Sequence, residues 1–361
     1  MSDLVLAPYD ESMRLGQGYN SFLQIPCVPN AVHLGPDDII VNTVAKGTDG
    51  ISKLVSYSSH FVDKISDVAN RLNISPASSI KTGFVDILRN SRGSGVDEAE
   101  FASSDFNAVI SVKVITETTT LAEGASFQPP RGGARIDDAE FLNLYGDCYI
   151  SGFINGGDLH GIISMKTPDS STAQQVEEIA RKQLDLGDWV EKFRLSKIIE
   201  TASLDALQSQ MPADDFPERV TSSPQRTWAV LTRYDSNQDF VRWAEEHSIS
   251  VPNYRSVQPY ACELLNMYMG YKRNLVRVQA VLSDRESFST SLVAGAVGLD
   301  IKSLLVARKA MKNEMALIAE EMDRLCLRPH EIEQVKSQSR IQSPNAWASR
   351  LPVPGVSEVA A

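Results

Sequence analysis

The segment YGDCYISGFINGG, residues 145–157, decides how the fold of this chain is interpreted. It leads into a long strand that the sequence predicts from about Cys148 to Met165, and three glycines of the segment, Gly152, Gly156 and Gly157, fall inside that strand. Glycine weakens the interior of a strand, so three of them need a structural reason. One reason is curvature, because a sheet bends sharply where its backbones approach or twist without a Cβ clash.

A turn is the alternative explanation of the same glycines. The run 155–157, Asn-Gly-Gly, is typical of a hairpin turn, with Gly152 as an incidental bulge. Composition gives the two explanations about equal weight. In the curved-sheet interpretation, Tyr145 and Tyr149 flank the passage from a short helix into the strand and pack over exposed backbone.

Further strands and short helices are predicted on both sides of this segment. From Phe106 to about residue 117, apolar and polar residues alternate, which predicts a long strand with one buried and one mostly polar face. The remaining predicted elements are strands at Ile39–Val44 and Thr227–Thr232, a helix at Ala139–Leu144 capped by Asp138, and helices at residues 171–184 and 239–247.

Residues 51–72 carry apolar side chains at helical spacing, with polar residues on the opposite face. The spacing predicts one amphipathic helix over this range. Its apolar positions are Ile51, Leu54, Val55, Phe61, Val62, Ile65, Val68, Ala69 and Leu72.

Helical periodicity dominates from about residue 259 onward. Pro259 suits the first turn of a helix, and an apolar stripe follows as far as Leu282. After a link rich in serine and glycine, a second helix places apolar residues seven apart from Leu304 to Leu325. Two long helices and a link predict an antiparallel hairpin, which would serve as a packing module, an oligomer surface or a contact for a protein partner.

These patterns together predict three regions in the chain. Residues 1–250 form an α+β domain, residues 251–335 form the helical hairpin, and residues 336–361 form a flexible tail that ends in PVPGVSEVAA.

Composition excludes some classes of function. The chain has 361 residues and a formal net charge of −11, and a nucleic-acid binder needs a basic face. We therefore expect no nucleic-acid partner. Four widely spaced cysteines, Cys27, Cys148, Cys262 and Cys326, predict reduced thiols and not a disulfide framework or a zinc site.

Signals for catalysis are weak throughout the sequence. The five histidines are far apart, and no GxSxG or Walker A pattern occurs. The pairs Asp137–Asp138 and Asp214–Asp215 are explained more simply as helix caps or solvated turns than as cation sites. We expect no enzyme activity, no catalytic residues, no cofactor and no metal.

The decisive segment resembles the signature of the membrane-attack-complex/perforin (MACPF) superfamily, which is related to the cholesterol-dependent cytolysins. The resemblance rests on the spacing of Tyr145, Gly146, Tyr149, Gly156 and Gly157. The sequence departs from that signature at residues 147–148, where it has Asp-Cys in place of a small hydroxyl residue and a histidine. Residues 216–236, FPERVTSSPQRTWAVLTRYDS, are similar to an uncharacterised fungal branch.

The resemblance implies a bent, twisted, antiparallel four-stranded central sheet flanked by helical clusters, with the bend at Gly152, Gly156 and Gly157. It also implies a pore former whose monomers bind membrane lipid, self-associate and convert helical clusters to β-hairpins. The candidate membrane-inserting helix then comprises Ile51, Leu54, Val55, Phe61, Val62, Ile65, Val68 and Leu72.

An alternative of a different class is an intracellular, non-lytic protein on the same scaffold that binds a partner through its C-terminal helices. An enzyme is the third and least favoured. The N-terminal sequence lacks the pattern of a secretory leader, so we expect a cytoplasmic location or leaderless secretion, with membrane association on activation.

Overall fold

An antiparallel sheet organises the N-terminal two thirds of the chain. The computed structural model describes residues 5–35, 38–44, 53–82, 101, 104, 106–122, 125–130, 136–165 and 216–355. The described residues fall into two compact units, one within residues 1–78 and 85–253 and one within residues 79–84 and 254–361. Each unit has its own core and is treated by itself.

The elements of the first unit follow in chain order. They are β1 (Val5–Pro8), β2 (Gly18–Asn20), β3 (Ile25–Pro26), β4 (Ile39–Thr43), β5 (Leu54–Val62), α1 (Ile65–Arg71), α2 (Pro76–Thr82, which continues into the second unit), β6 (Phe106–Leu121), α3 (Asp138–Tyr145), β7 (Cys148–Met165), α4 (Phe216–Ser222), β8 (Gln225–Arg233) and α5 (Gln238–His247).

The two longest strands, β6 and β7, form the centre of the sheet. They pair antiparallel from Phe106 opposite Met165 to Thr120 opposite Gly152. Strand β5 pairs with the other side of β6, and β8 pairs with the other side of β7. The order β5-β6-β7-β8 is therefore also the chain order. This large antiparallel sheet with helices confirms the predicted α+β class.

The alternating pattern of β6 sets which face of the sheet is buried. Val112 and Val114 pack against Phe216 and Val220 of α4, in a small apolar cluster. Lys113 lies between them in sequence and points to the opposite face, as the two-residue period of a strand requires.

The prediction of one helix over residues 51–72 is wrong for the first half of that range. Leu54–Val62 forms β5, and all nine residues have partners on β6. Of the residues in this range that the structure describes, only Ile65–Arg71 are helical. The apolar pairs at 54–55 and 61–62 fit either period, and the exposed edge of β6 supplies the hydrogen bonds that favour the strand.

Other predicted elements agree with the structure, with small shifts. The helix before the decisive segment is capped by Asp137 and not by Asp138, because the Asp137 carboxylate accepts a hydrogen bond from Glu140 N at 2.8 Å. Asn237 caps α5 by accepting from Phe240 N. The predicted helix at 171–184 and the pair Asp214–Asp215 lie outside the described residues.

The second unit is built on two long helices. Its elements are α6 (Gln258–Ser283), β9 (Phe288–Ser289), α7 (Ile301–Leu327), α8 (Ile332–Gln338), α9 (Pro344–Arg350) and β10 (Val353–Pro354). Tyr260, in the first turn of α6, donates a hydrogen bond to Glu321 near the end of α7 at 2.6 Å, so the helices run antiparallel. Their facing residues, including Leu264, Val278, Leu304 and Ile318, are fully buried.

The prediction of a flexible tail from residue 336 onward is wrong for residues 336–355, which pack within the second unit. The Arg277 guanidinium donates to the carbonyl oxygens of Ala348, Leu351 and Pro352, and Leu351 is fully buried. The physical reason is that one arginine supplies the hydrogen bonds that this segment cannot make within itself. Residues 356–361 lie outside the described part of the chain.

Candidate functional site

The segment 145–157 crosses from the end of α3 into the first half of β7. Gly146 ends the helix with a φ of +78°, and its N–H donates to Leu142 O at 2.9 Å. A Cβ at Gly146 would overlap the Tyr19 carbonyl and lie 2.7 Å from Asn20 N. The close approach of β2 therefore requires glycine at this position.

The glycines of β7 coincide with irregular pairing on both of its sides. The β7–β8 register shifts between Ile150 and Gly152 and again between Ile154 and Asn155. The β6–β7 register shifts where Thr116 is inserted opposite Asn155 and Gly156. Such bulges bend a strand and increase its twist. The strand continues to Met165, so the alternative of a hairpin turn at residues 155–157 is wrong.

Gly156 and Gly157 leave room for two different neighbours. At Gly156, where φ is +157°, a Cβ would overlap the carbonyl oxygen of Val114 on β6. At Gly157, a Cβ would overlap the Val220 side chain and lie 3.1 Å from the Phe216 ring. The two glycines therefore let the backbone of β6 and the helix α4 approach β7 at the same point of the central sheet.

Tyr145 and Tyr149 anchor the start of the segment in an aromatic cluster. The rings of Phe141 and Tyr145 stack with centroids 4.9 Å apart, and Tyr149 lies 5.6 Å from Tyr234. Tyr234 donates a hydrogen bond to Tyr145 O at 3.0 Å, and Tyr145 donates to Gln128 O at 3.0 Å. Burial raises the pKa of Tyr145, Tyr149 and Tyr234, so these phenols stay protonated, and Tyr145 and Tyr234 act as structural donors.

The two residues that depart from the superfamily signature are both buried. The Asp147 carboxylate, only 1 % exposed, accepts from Ser21 N and Ser21 Oγ at 2.6 Å each, and Arg233 Nη1 lies 3.9 Å away. Burial raises the pKa of Asp147, and Ser21 and Arg233 oppose that rise. Sequence reasoning missed Ser21 and Arg233, because neither stands in a recognisable motif.

Cys148 is a buried thiol with a structural environment. Its Sγ lies 3.2 Å from Tyr19 O, and burial raises the pKa of the thiol well above its usual value. A reactive cysteine needs a lowered pKa and solvent access. The arrangement at residues 147–148 therefore holds β2 and β8 to β7 and offers no nucleophile.

A polar cluster occupies the face of the sheet opposite α4. Lys113 on β6 pairs in register with Asp158 on β7, and its ammonium lies 4.5 Å from the centre of the Trp228 ring. Burial raises the pKa of Asp158 to about 6, and the Lys113 charge opposes that rise. His160 Nδ1 is 2.8 Å from Ser111 Oγ. Among the described residues, no group of three His, Cys, Asp or Glu side chains could hold a metal ion.

The candidate membrane-inserting residues do not form one surface. Leu54, Val55, Phe61 and Val62 lie in β5, whereas Ile65 and Val68 are buried in α1 and Leu72 is its buried C-cap residue. Ile51 lies outside the described residues. No helix in the described part of the chain has both the length and the apolar character needed to cross a bilayer.

Strands β4 and β5 lie end to end along one side of β6. Strand β4 pairs with residues 117–121 of β6 and β5 pairs with residues 107–115. Neither pairs with a second strand among the described residues. All five residues of β4 are exposed, among them Ile39, Ile40 and Val41.

No known protein family matches this sequence, and no curated protein matches it. Solved structures that resemble the fold include stonustoxin, with 11 % identity and a TM-score of 0.40, over 96 % of this chain and 47 % of that one. A disulfide-locked early prepore of intermedilysin with CD59 matches with 12 % identity and a TM-score of 0.32, over 64 % of this chain and 55 % of that one.

A third match is a cell invasion protein with a MAC/perforin domain from Bacteroides thetaiotaomicron, with 12 % identity and a TM-score of 0.24, over 50 % of this chain and 42 % of that one. The chain spans about half the length of these structures. Because these TM-scores lie below 0.5, the matches carry no argument about fold or activity. The superfamily stays a resemblance of the sequence, and the fungal branch stays a prediction.

Proposed function

We propose that this protein is a non-catalytic, MACPF-like protein that binds membrane lipid, self-associates and forms pores. The observation that carries the proposal is the open edge at β4, whose five residues are all exposed and pair only with β6 among the described strands. An edge strand presents unpaired N–H and C=O groups, and these are a template for a strand of another chain.

The side chains of this edge favour such pairing. Natural proteins protect long edges with charges, prolines or a covering element. Strand β4 instead exposes three consecutive β-branched apolar residues, Ile39, Ile40 and Val41. The opposite edge is β1, which pairs only with β8 among the described strands and exposes Val5. Two different edges on one sheet support head-to-tail association, which continues from copy to copy.

The conversion of helical clusters to membrane-inserting hairpins is the finer part of the proposal. It rests on the sequence resemblance, because much of the chain concerned lies outside the described residues. The bulges along β7 support it indirectly, because an extra residue bends the sheet where it is inserted. Ser151 is the extra residue in β7, Thr227 in β8 and Thr116 in β6.

The experiment combines dye-loaded vesicles with a variant of the open edge. Purified protein is mixed with vesicles of several lipid compositions, and dye release and co-sedimentation are both measured. Val41→Lys places a charge on β4, where the side chain is already 55 % exposed, so we expect folding to be unaffected. The variant should sediment with vesicles as the parent does and release much less dye.

Val276→Lys is the matched control, because Val276 is equally exposed but lies on a helix of the second unit. It should release dye as the parent does. If Val41→Lys and the parent release equal amounts of dye, the open edge is not needed for pore formation. If the parent neither releases dye nor sediments with any vesicle, the pore-forming function is wrong and the non-lytic, partner-binding alternative takes its place.

A further inference from the structure

The connection between the two long helices of the second unit projects apolar side chains into solvent. Residues 291–298 read SLVAGAVG, and Leu292 is 103 % exposed, as open as a residue in an extended peptide. Val293 is also exposed, as are Ile301 and Leu305, which lie one turn apart on the same face of α7. These four residues, Leu292, Val293, Ile301 and Leu305, are called the apolar tip.

The exposure of the apolar tip is imposed by hydrogen bonds on both sides of the loop. Ser291 Oγ donates to Ser349 O at 2.7 Å, and Val297 N donates to Arg350 O at 2.8 Å. Asp300 caps α7 by accepting from Ser303 N at 2.9 Å. Residues 292–295 are exposed between these two fixed ends, and burial of Leu292 against its own chain would break these contacts.

The charges around the apolar tip indicate what covers it. Residues 284–302 contain three acidic and two basic side chains, and Arg350 adds a third basic one beside the loop. The tip is therefore close to neutral, whereas the whole chain carries a net charge of −11. A neutral apolar projection on an acidic protein suits a zwitterionic lipid surface, because an anionic surface would repel the rest of the chain.

We propose that the apolar tip inserts into the surface of a zwitterionic lipid bilayer and is the membrane contact of this protein. The inference rests on the proposed membrane binding and adds the contact residues and the lipid class. A convex loop that exposes apolar atoms gains affinity from burial alone, without directional hydrogen bonds. Binding should therefore depend little on salt.

The test uses the full chain and phosphatidylcholine vesicles in a sedimentation assay. The double variant Leu292→Ser/Val293→Ser removes apolar area without changing the net charge, and we expect partitioning to fall by about 30-fold or more. The matched control is Leu327→Ser, an exposed leucine at the other end of α7, which should partition as the parent does. Parent binding should be the same at low and high salt.

A second measurement reports insertion without relying on a loss of binding. Leu292→Cys, in a Cys27→Ser/Cys262→Ser background, is labelled with a polarity-sensitive fluorophore and mixed with the same vesicles. A blue shift of the emission supports insertion. The absence of a shift on vesicles that the protein does bind overturns the inference.

The outcomes separate this inference from the proposed function. If the serine double variant binds as tightly as the parent, the tip is not the contact, while membrane binding stands. If the parent binds only vesicles that contain anionic lipid, the assignment of lipid class is wrong. If the parent binds no vesicle of any composition, the proposed function fails together with this inference.

Discussion

Gly157 of β7 faces Val220 of α4 with no space for a Cβ atom between them. The contact joins the bulged strand of the central sheet to the helix that covers it. Its neighbour Gly156 meets a backbone carbonyl, that of Val114, and not a side chain. The two adjacent glycines are therefore required for different reasons, and substitutions can tell the reasons apart.

Gly157→Ala should destabilise the protein by about 1–3 kcal/mol, because the new methyl group overpacks the contact with Val220. Combining it with Val220→Ala should restore part of the loss, since that change removes the side-chain atoms in the way. A double-mutant cycle measured by chemical denaturation gives the coupling between the two residues. Strictly additive effects would show that the contact is absent in solution.

Gly156→Val should cost more, about 3 kcal/mol or more, because its obstacle is backbone and no neighbouring side chain can be trimmed. Val220→Ala should give no rescue at this position. A Gly156→Val/Gly157→Val double variant that melts like the parent would mean that the glycines have no structural role.

Asp147→Ala should destabilise the protein by about 2–4 kcal/mol, because it leaves the Ser21 N–H and the Ser21 hydroxyl without their buried acceptor. Asp239→Ala is the control: this carboxylate pairs with Arg242 on the surface of α5, and its loss should change the free energy of unfolding by less than about 0.5 kcal/mol. Similar losses for the two variants would contradict a buried network at Asp147.

The pKa of Asp158 predicts how stability changes with pH. The folded-state pKa is about 6, raised from 3.8 by burial, so the folded protein binds this proton more tightly than the unfolded chain does. The contribution is fully present below pH 4 and is lost as the pH rises to about 6, by at most about 3 kcal/mol. Lys113 and His160 face the same region of the sheet.

The measurement is the free energy of unfolding of the parent and of Asp158→Asn across pH 4 to 8. Other carboxylates titrate in both proteins, so the difference between the two curves isolates Asp158. That difference should change between pH 4 and 6 and stay constant above pH 7. Parallel curves would show that Asp158 has an ordinary pKa.

The four cysteines should all react with a thiol reagent, in two classes. The sequence predicts four reduced thiols, and the structure contains no disulfide among them. Cys27 and Cys262 are partly exposed and should react in the native protein, whereas Cys148 and Cys326 are buried and should react only on unfolding. Four fast reactions in the native state would contradict the burial of the second pair.

Sequence periodicity predicted the secondary structure correctly where the apolar residues fit the period of a strand or of a helix, but not both. The alternation at Ala108–Val114 allows only a strand, and the apolar stripe of residues 264–282 allows only a helix. Residues 54–62 failed because their paired apolar residues fit both periods, and the choice depends on the distant strand β6. The strand that carries the proposed function, β4, was predicted within Ile39–Val44, whereas its position at the edge of the sheet depends on its pairing with the distant strand β6.

The other features that the sequence did not predict are hydrogen bonds between polar residues that are far apart in the chain. Ser21 reaches Asp147, and Arg277 reaches residues 348–352, with more than seventy residues between the partners. Local patterns carry no signal for such pairs.

The hydrogen bonds from Arg277 to three carbonyl groups hold residues 348–352 against helix α6. This contact is called the clasp. Tyr271 and Asn274 add donors to Gln342 O and Pro344 O just before it. A protease cut between residues 339 and 343 would weaken this clasp, because residues 348–352 would then have to bind α6 as part of a separate peptide. The same clasp also holds the loop that carries Leu292, so proteolysis far along the chain from that loop would release it.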